Sequence, residues 1–219
     1  MADIEQIQAE VNQACSRYKN DKMKMEQLLI DMDNYKAMAE SSASRMQSIQ
    51  SQISSIEMQI SMLQSEISSH SGEEDYDPSY AYNRMNQLYG ELQSLQSQYS
   101  QEQQTYSMSI ASLNRAQAEY SQCEQDMENV SQYLELVRAQ MMQAAEVLQN
   151  KILAFSQSLD ILGGASGNMF GGSALGQMSH LQTSQNEYQR NLNIAQNVIE
   201  QISSTIDDQG SAYTKTLRR

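Results

Sequence analysis

Apolar residues recur at alternating spacings of three and four along the first third of the chain. The series is Ile4, Ile7, Val11, Ala14, Tyr18, Met25, Leu28, Met32, Tyr35, Ala39, Met46, Ile49, Ile53, Ile56, Ile60, Leu63 and Ile67. Only Asp21 and Ser42 fall in frame without an apolar side chain. A heptad held over about nine repeats keeps one narrow stripe turned toward a partner helix, as in a coiled coil. The spacing predicts a first helix over about 3–69.

At 70–78 the pattern stops. Gly72 there can end one helix, Asp77 or Ser79 can cap the next, and Pro78 suits a first helical turn. A second stripe then runs through Met85, Leu88, Leu92, Leu95, Tyr99, Tyr106, Leu113, Ala116, Tyr120, Cys123, Met127, Val130, Leu134, Val137, Met141, Ala144, Leu148, Phe155 and Leu162. It predicts a second helix over about 79–162, spanning roughly 125 Å at ~1.5 Å per residue. Glu102, Ser109, Lys151 and Ser158 interrupt it in frame, and Gly90 weakens it locally. Six of the nine glycines lie between Gly163 and Gly176, which sets a connector over about 163–174. A third helix over about 175–209 carries Met178, Leu181, Tyr188, Leu192, Ala195, Ile199, Ile202 and Ile206 before Gly210 and a tail over 210–219.

Short connections favour antiparallel neighbours. Folding the first two helices back about 70–78 sets Leu63 against Met85, Ile56 against Leu92, Ile49 against Tyr99 and Ala14 against Leu134, with both heptads in phase throughout. The third helix, folded back on the second, brings Leu181 to Phe155 and Tyr188 to Leu148. The expectation is an all-α fold: a long antiparallel coiled-coil hairpin, single and elongated, with a shorter third helix packing at its base. Asp21 and Gln209 then share a layer with Met127, where a hydrogen bond between them would set register at a cost in stability. Ser42 faces Tyr106, Ala39 faces Ser109 and Met46 faces Glu102, so a thin, wet or bent point is expected there.

Composition narrows the function. With two Phe and no Trp among 219 residues, the apolar side chains suit a seam better than a thick interior. A net charge of −13 repels phosphate backbones and anionic lipid surfaces, so nucleic acid is not an expected partner. No apolar run is long enough to cross a bilayer, and the first residues lack a basic region followed by an apolar core. These features point to the cytoplasm, or to export without a cleaved signal peptide. Cys15 and Cys123 fall too far apart along the hairpin for the ~7 Å Cα separation that a disulfide tolerates, so both read as free thiols.

No catalytic constellation is visible. His70 and His180 have no Cys or second His at ligand spacing, and neither G-x-S-x-G nor GxxxxGK[ST] occurs. The run Glu73, Glu74, Asp75 and Asp77 is too short for a twelve-residue calcium loop. Neither cofactor, metal nor small-molecule substrate is expected. Candidate contact residues are instead Tyr76, Tyr80, Tyr82 and Tyr89 around the turn, Met58 and Met62 pointing away from the seam, and Met169-Phe170 in the connector. Tyr and Met are enriched where surfaces bind partners. The same residues also fit tyrosines stacking along their own helix, surface methionines and a phenylalanine tucked against the bundle end.

Leu162-Gly163-Gly164 and Leu88-Tyr89-Gly90 both fit L-x-G, within a Gln/Ser-rich, helical, acidic chain. In this the chain resembles the helical LXG and WXG domains of Gram-positive type VII secretion. W-x-G is absent, and Tyr213 has no acidic residue three positions on. The resemblance implies export, or assistance to an exported partner, by helical bundling. The expected role is a non-catalytic coiled-coil interaction module that pairs with another helical protein or with itself. The alternative is a structural spacer, scaffold or filament component in the cytoplasm or a virus particle.

Overall fold

The computed structural model describes residues 4–165 and 173–207. Among them the chain forms three helices and no strand: α1 (Ile4–Ser69), α2 (Ser79–Ala165) and α3 (Ser173–Asp207). Met169, Phe170 and Gln209 lie outside the described residues. The architecture is the antiparallel hairpin with a third helix packed on part of it. Gly163 and Gly164 fall within the final turn of α2 rather than after it, a shift of the size that fraying helix ends commonly show.

Serines in these helices repeat one local hydrogen bond. The hydroxyls of Ser16, Ser51, Ser54, Ser100 and Ser107 each donate to the carbonyl four residues back at 2.8–3.1 Å. That bond satisfies the hydroxyl within its own helix without strengthening the helix, so packing along the seam holds the serine-rich stretches in place. Gln6–Glu10, Gln27–Asp31 and Gln122–Asp126 add side-chain bonds one turn apart at 3.0–3.2 Å.

The chain divides into two compact units. One comprises Glu26–Ser121 and is a pure α1–α2 hairpin. Ile56, Ile60, Met85 and Leu88 form its buried cluster, with Leu63, Ile67, Leu92 and Leu95 packed against it, so the Leu63–Met85 and Ile56–Leu92 layers come together. Farther along, Arg45 Nε meets Glu102 Oε1 at 3.2 Å, one residue from the Met46–Glu102 alignment. Around this ion pair Ala39, Ser42 and Ser109 are buried. Ser109 donates to Thr105 O at 2.9 Å and Arg45 Nη2 reaches Ser42 Oγ at 3.5 Å. The layer is therefore closed over its serines, not open to solvent at them. Glu102 Oε2 is buried there without a hydrogen-bond partner.

The turn of the hairpin rests on Gly72, whose φ of 121° is foreign to residues with a Cβ. Asp77 Oδ1 accepts the Ser79 amide at 2.9 Å and caps α2. Two glycine substitutions should act in opposite directions. A Cβ at Gly72 or at Gly90 meets nothing within 4 Å, so only backbone conformation decides. Gly72→Ala should cost about 1–2 kcal/mol, whereas Gly90→Ala, inside a helix, should gain up to about 1 kcal/mol. Urea midpoints of the two variants check both signs.

The other unit joins the residues up to Met25 with those from Gln122 onward and contains all three helices. Val11, Tyr18, Leu134, Val198 and Ile202 are its largest fully buried side chains. Three buried positions depart from the expected seam. Cys15, Val198 and Thr205 are all buried, and Ile199 is only half-buried. A helix packed against two neighbours buries a wider stripe than a two-stranded seam, which brings these flanking positions inside.

The α2–α3 alignment also differs from expectation. Tyr188 stacks on Phe155 with centroids 5.5 Å apart and lies under Lys151 Nζ at 5.2 Å. Gln185 Nε2 donates to Ser156 Oγ at 3.0 Å. Tyr188 thus sits farther toward the α2 C-terminus than the Leu148 pairing requires. Ring stacking and a cation over the ring favour that position over contact with an aliphatic side chain. Arg190 pairs with Glu5 of α1.

Candidate partner-binding surface

The hairpin turn gathers exposed apolar side chains beside a run of carboxylates. Tyr80 is 78% exposed, Met62 62%, Met58 61%, Tyr82 52% and Tyr89 45%. Their placement follows from the heptad. Tyr82 and Tyr89 stand seven residues apart, each one position beyond a buried seam residue, Ala81 and Leu88, and so share one edge of α2. Gln64 Nε2 of α1 donates to the Tyr89 hydroxyl at 3.3 Å and ties that edge to the neighbouring helix. Met58 and Met62 are one turn apart, away from the Ile56–Ile60–Leu63 seam.

Tyr76 behaves differently from the other three tyrosines. It is half-buried and stacks on His70, with centroids 4.9 Å apart and planes at 24°. Loss of hydration, then the Glu66 carboxylate and neighbouring Tyr82 and Asp77, raise its hydroxyl pKa. His70 Nδ1 lies 3.0 Å from Glu66 O, so the pair closes the end of α1. Glu66, Glu73, Glu74, Asp75 and Asp77 are all exposed around these rings. The arrangement offers flat amphipathic rings and pliable thioethers inside a negative rim, suited to an apolar stripe flanked by basic side chains.

Bonds from the Ser79 side chain and amide depress the Asp77 pKa. The cap therefore contributes stability that is present above the unfolded aspartate pKa and lost as pH falls through the lower folded value. The Ser79 amide resonance should titrate with a midpoint below the ordinary aspartate value of about 3.9. A midpoint at or above that value would remove the cap from the account.

Other candidate positions carry less. Asp21 is half-buried, while its expected partner Gln209, like Met169 and Phe170, lies outside the described residues. In the three-helix unit a groove of about 410 Å³ is lined by residues including Glu10, Arg17, Asp126 and Tyr133. The Tyr133 hydroxyl donates to Glu10 Oε2 at 3.3 Å; loss of hydration and then that carboxylate raise its pKa. This pairing fastens α1 to α2 and sets up no nucleophile. Among the described residues no group of three or more His, Cys, Asp or Glu is placed to hold a metal ion. No described helix is long and apolar enough to cross a membrane.

Sequence reasoning passed over one exposed edge of α2, which carries Tyr133, Val147 and Ile161. Its signal was apolar residues repeating beside the seam rather than on it. The chain matches no protein-family model, and no curated protein or solved structure is detectably similar to it.

Proposed function

We propose that this chain is a non-catalytic interaction module that binds another helical protein through the turn of its α1–α2 hairpin. The observation that carries this reading is the grouping of exposed Tyr80, Tyr82, Met58 and Met62 at one end of the hairpin beside a run of exposed carboxylates, whereas the other exposed apolar residues of that unit, Ile30, Met38, Tyr106 and Met108, stand along its length. A solvated turn needs no such residues, and desolvating rings and thioethers against an apolar stripe supplies binding free energy. The carboxylates around them select a partner with a basic flank. The two L-x-G tripeptides and the Gln/Ser-rich helical texture support a narrower form, in which the module accompanies or targets cargo of a type VII-like secretion system.

The test begins with a partner recovered from the native host and purified. Titrated against the chain, it should form a stoichiometric complex that the combined change Met58→Gln, Met62→Gln, Tyr80→Ser and Tyr82→Ser abolishes. These positions are exposed, so helicity should not change. A complex of undiminished affinity with the variant would refute the tip as the docking surface. The secretion reading is tested separately by intact-mass analysis of culture supernatant, where the chain or its partner should appear uncleaved. Retention of both in the cells would end that reading alone.

A further inference from the structure

Within the three-helix unit, the two edges of α2 that flank its seam are treated differently. On one edge Ser131, Arg138, Ala145, Ile152 and Leu159, at seven-residue spacing, are all half-buried. On the other, Tyr133, Gln140, Val147, Ala154 and Ile161 are all exposed, Ile161 to 71% and Val147 to 49%. The row outside that bare edge, Leu136, Gln143, Asn150 and Gln157, is exposed too. Over 133–161 the charges of α2 are Glu135, Arg138, Glu146, Lys151 and Asp160. None of them falls on either bare row. Absence of charge with exposed apolar residues at regular spacing is the composition of an interface core.

The bare edge continues an existing interface. It starts at Tyr133, which is bonded to Glu10 of α1, and runs on toward the C-terminus of α2. Along the same stretch the seam residues change from buried, at Leu134, Val137 and Met141, to half-buried, at Leu148 and Phe155. Among the described residues, the apolar stripe of α2 thus extends beyond the part that α1 and α3 cover fully.

We infer that this edge of α2 is a homotypic docking surface, occupied by the same edge of a second copy running antiparallel, with the two-fold axis at Val147. Reversal about Val147 sets Tyr133 against Ile161 of the second copy and Gln140 against Ala154, a bulky residue at each end and smaller or flexible ones between. Gln143 and Asn150 lie within a turn of the axis and supply amides that pair across it. A two-fold interface must be complementary to itself. Uncharged rows meet that demand in a chain of net charge −13, because neither row places a carboxylate within the contact itself.

The size of the edge sets the strength. From Tyr133 to Ile161 is roughly 42 Å of helix at ~1.5 Å per residue, and a helix is about 10 Å across. The contact is then on the order of 800 Å² in total, below the standard range for stable complexes. The dimer is therefore reversible, and added salt strengthens it by screening the repulsion between two acidic chains.

Sedimentation velocity of the full chain across a concentration series tests this surface. The expected result is a monomer–dimer equilibrium whose dimer fraction rises between low and high salt. Val147→Glu should weaken dimerisation at least tenfold while leaving far-UV circular dichroism unchanged, because the position is exposed. Met142→Glu and Leu153→Glu, exposed on other faces of the same helix, should leave it intact. Val147→Cys should oxidise to a covalent dimer faster than Glu146→Cys. A chain that stays monomeric throughout, a dimer that Val147→Glu leaves unaffected, or equal loss in all three glutamate variants overturns the inference. Because this edge lies in a different unit from the hairpin turn, either proposal can fail without the other.

Discussion

Leu134→Ala should destabilise the protein by about 2–5 kcal/mol, the cost of deleting three buried carbons and leaving a cavity. Leu134 is fully buried in the unit where α1, α2 and α3 pack together, so residues on more than one helix would have to move to close the gap. Leu153→Ala, an identical change on the same helix, removes a side chain that is 55% exposed and should stay within about 0.5 kcal/mol of the parent. Urea unfolding followed by circular dichroism separates the two. A Leu134→Ala variant within 1 kcal/mol of Leu153→Ala would mean that this layer is not packed as described.

Substitutions at the two ends of the Arg45–Glu102 ion pair should have opposite effects. Arg45→Met removes the cation and leaves a carboxylate with one oxygen already buried and unpartnered. The expected loss is about 1–2 kcal/mol, at the lower end for an unsatisfied group because a fifth of the Glu102 side chain remains in water. Glu102→Leu removes the carboxylate and continues the seam, and should gain about 1 kcal/mol. Hydrogen exchange gives the local readout. Residues 39–46 and 102–109 should exchange faster than their flanks in the parent and slow down in Glu102→Leu. Equal losses from the two substitutions would show that the pair is net stabilising and end this account of the layer. The pair favours one register: sliding one helix by a heptad would bring Glu102 opposite Ala39 or Ile53, away from Arg45.

What could be read beforehand follows from how local each feature is. The Ile56–Leu63–Met85–Leu88 packing was legible because a heptad in each helix and a short turn leave one in-phase antiparallel pairing. The burial of Cys15, Val198 and Thr205 was not, since a two-stranded seam and a three-helix core differ only at flanking positions. The displaced Tyr188 follows from an aromatic and cationic neighbour on another helix, which heptad spacing does not encode. At the candidate surface, exposure of Tyr80, Tyr82, Met58 and Met62 could be inferred from their places off the seam. The stacking of Tyr76 on His70 depends on the chain reversal at Gly72, and the bare edge through Val147 shows itself only when the opposite edge is seen to be covered.

Both cysteines are free and packed inside the three-helix unit, Cys15 at 2% exposure and Cys123 at 5%. A thiol buried among apolar side chains is inert until its surroundings part, so an alkylating reagent reacts only with the transiently opened fraction. Labelling rates at the two positions therefore serve as built-in clocks for breathing of that unit, requiring no engineered probe. The same burial shields the two thiols in an oxidising compartment, where a glutathione adduct would have to wait for the same opening.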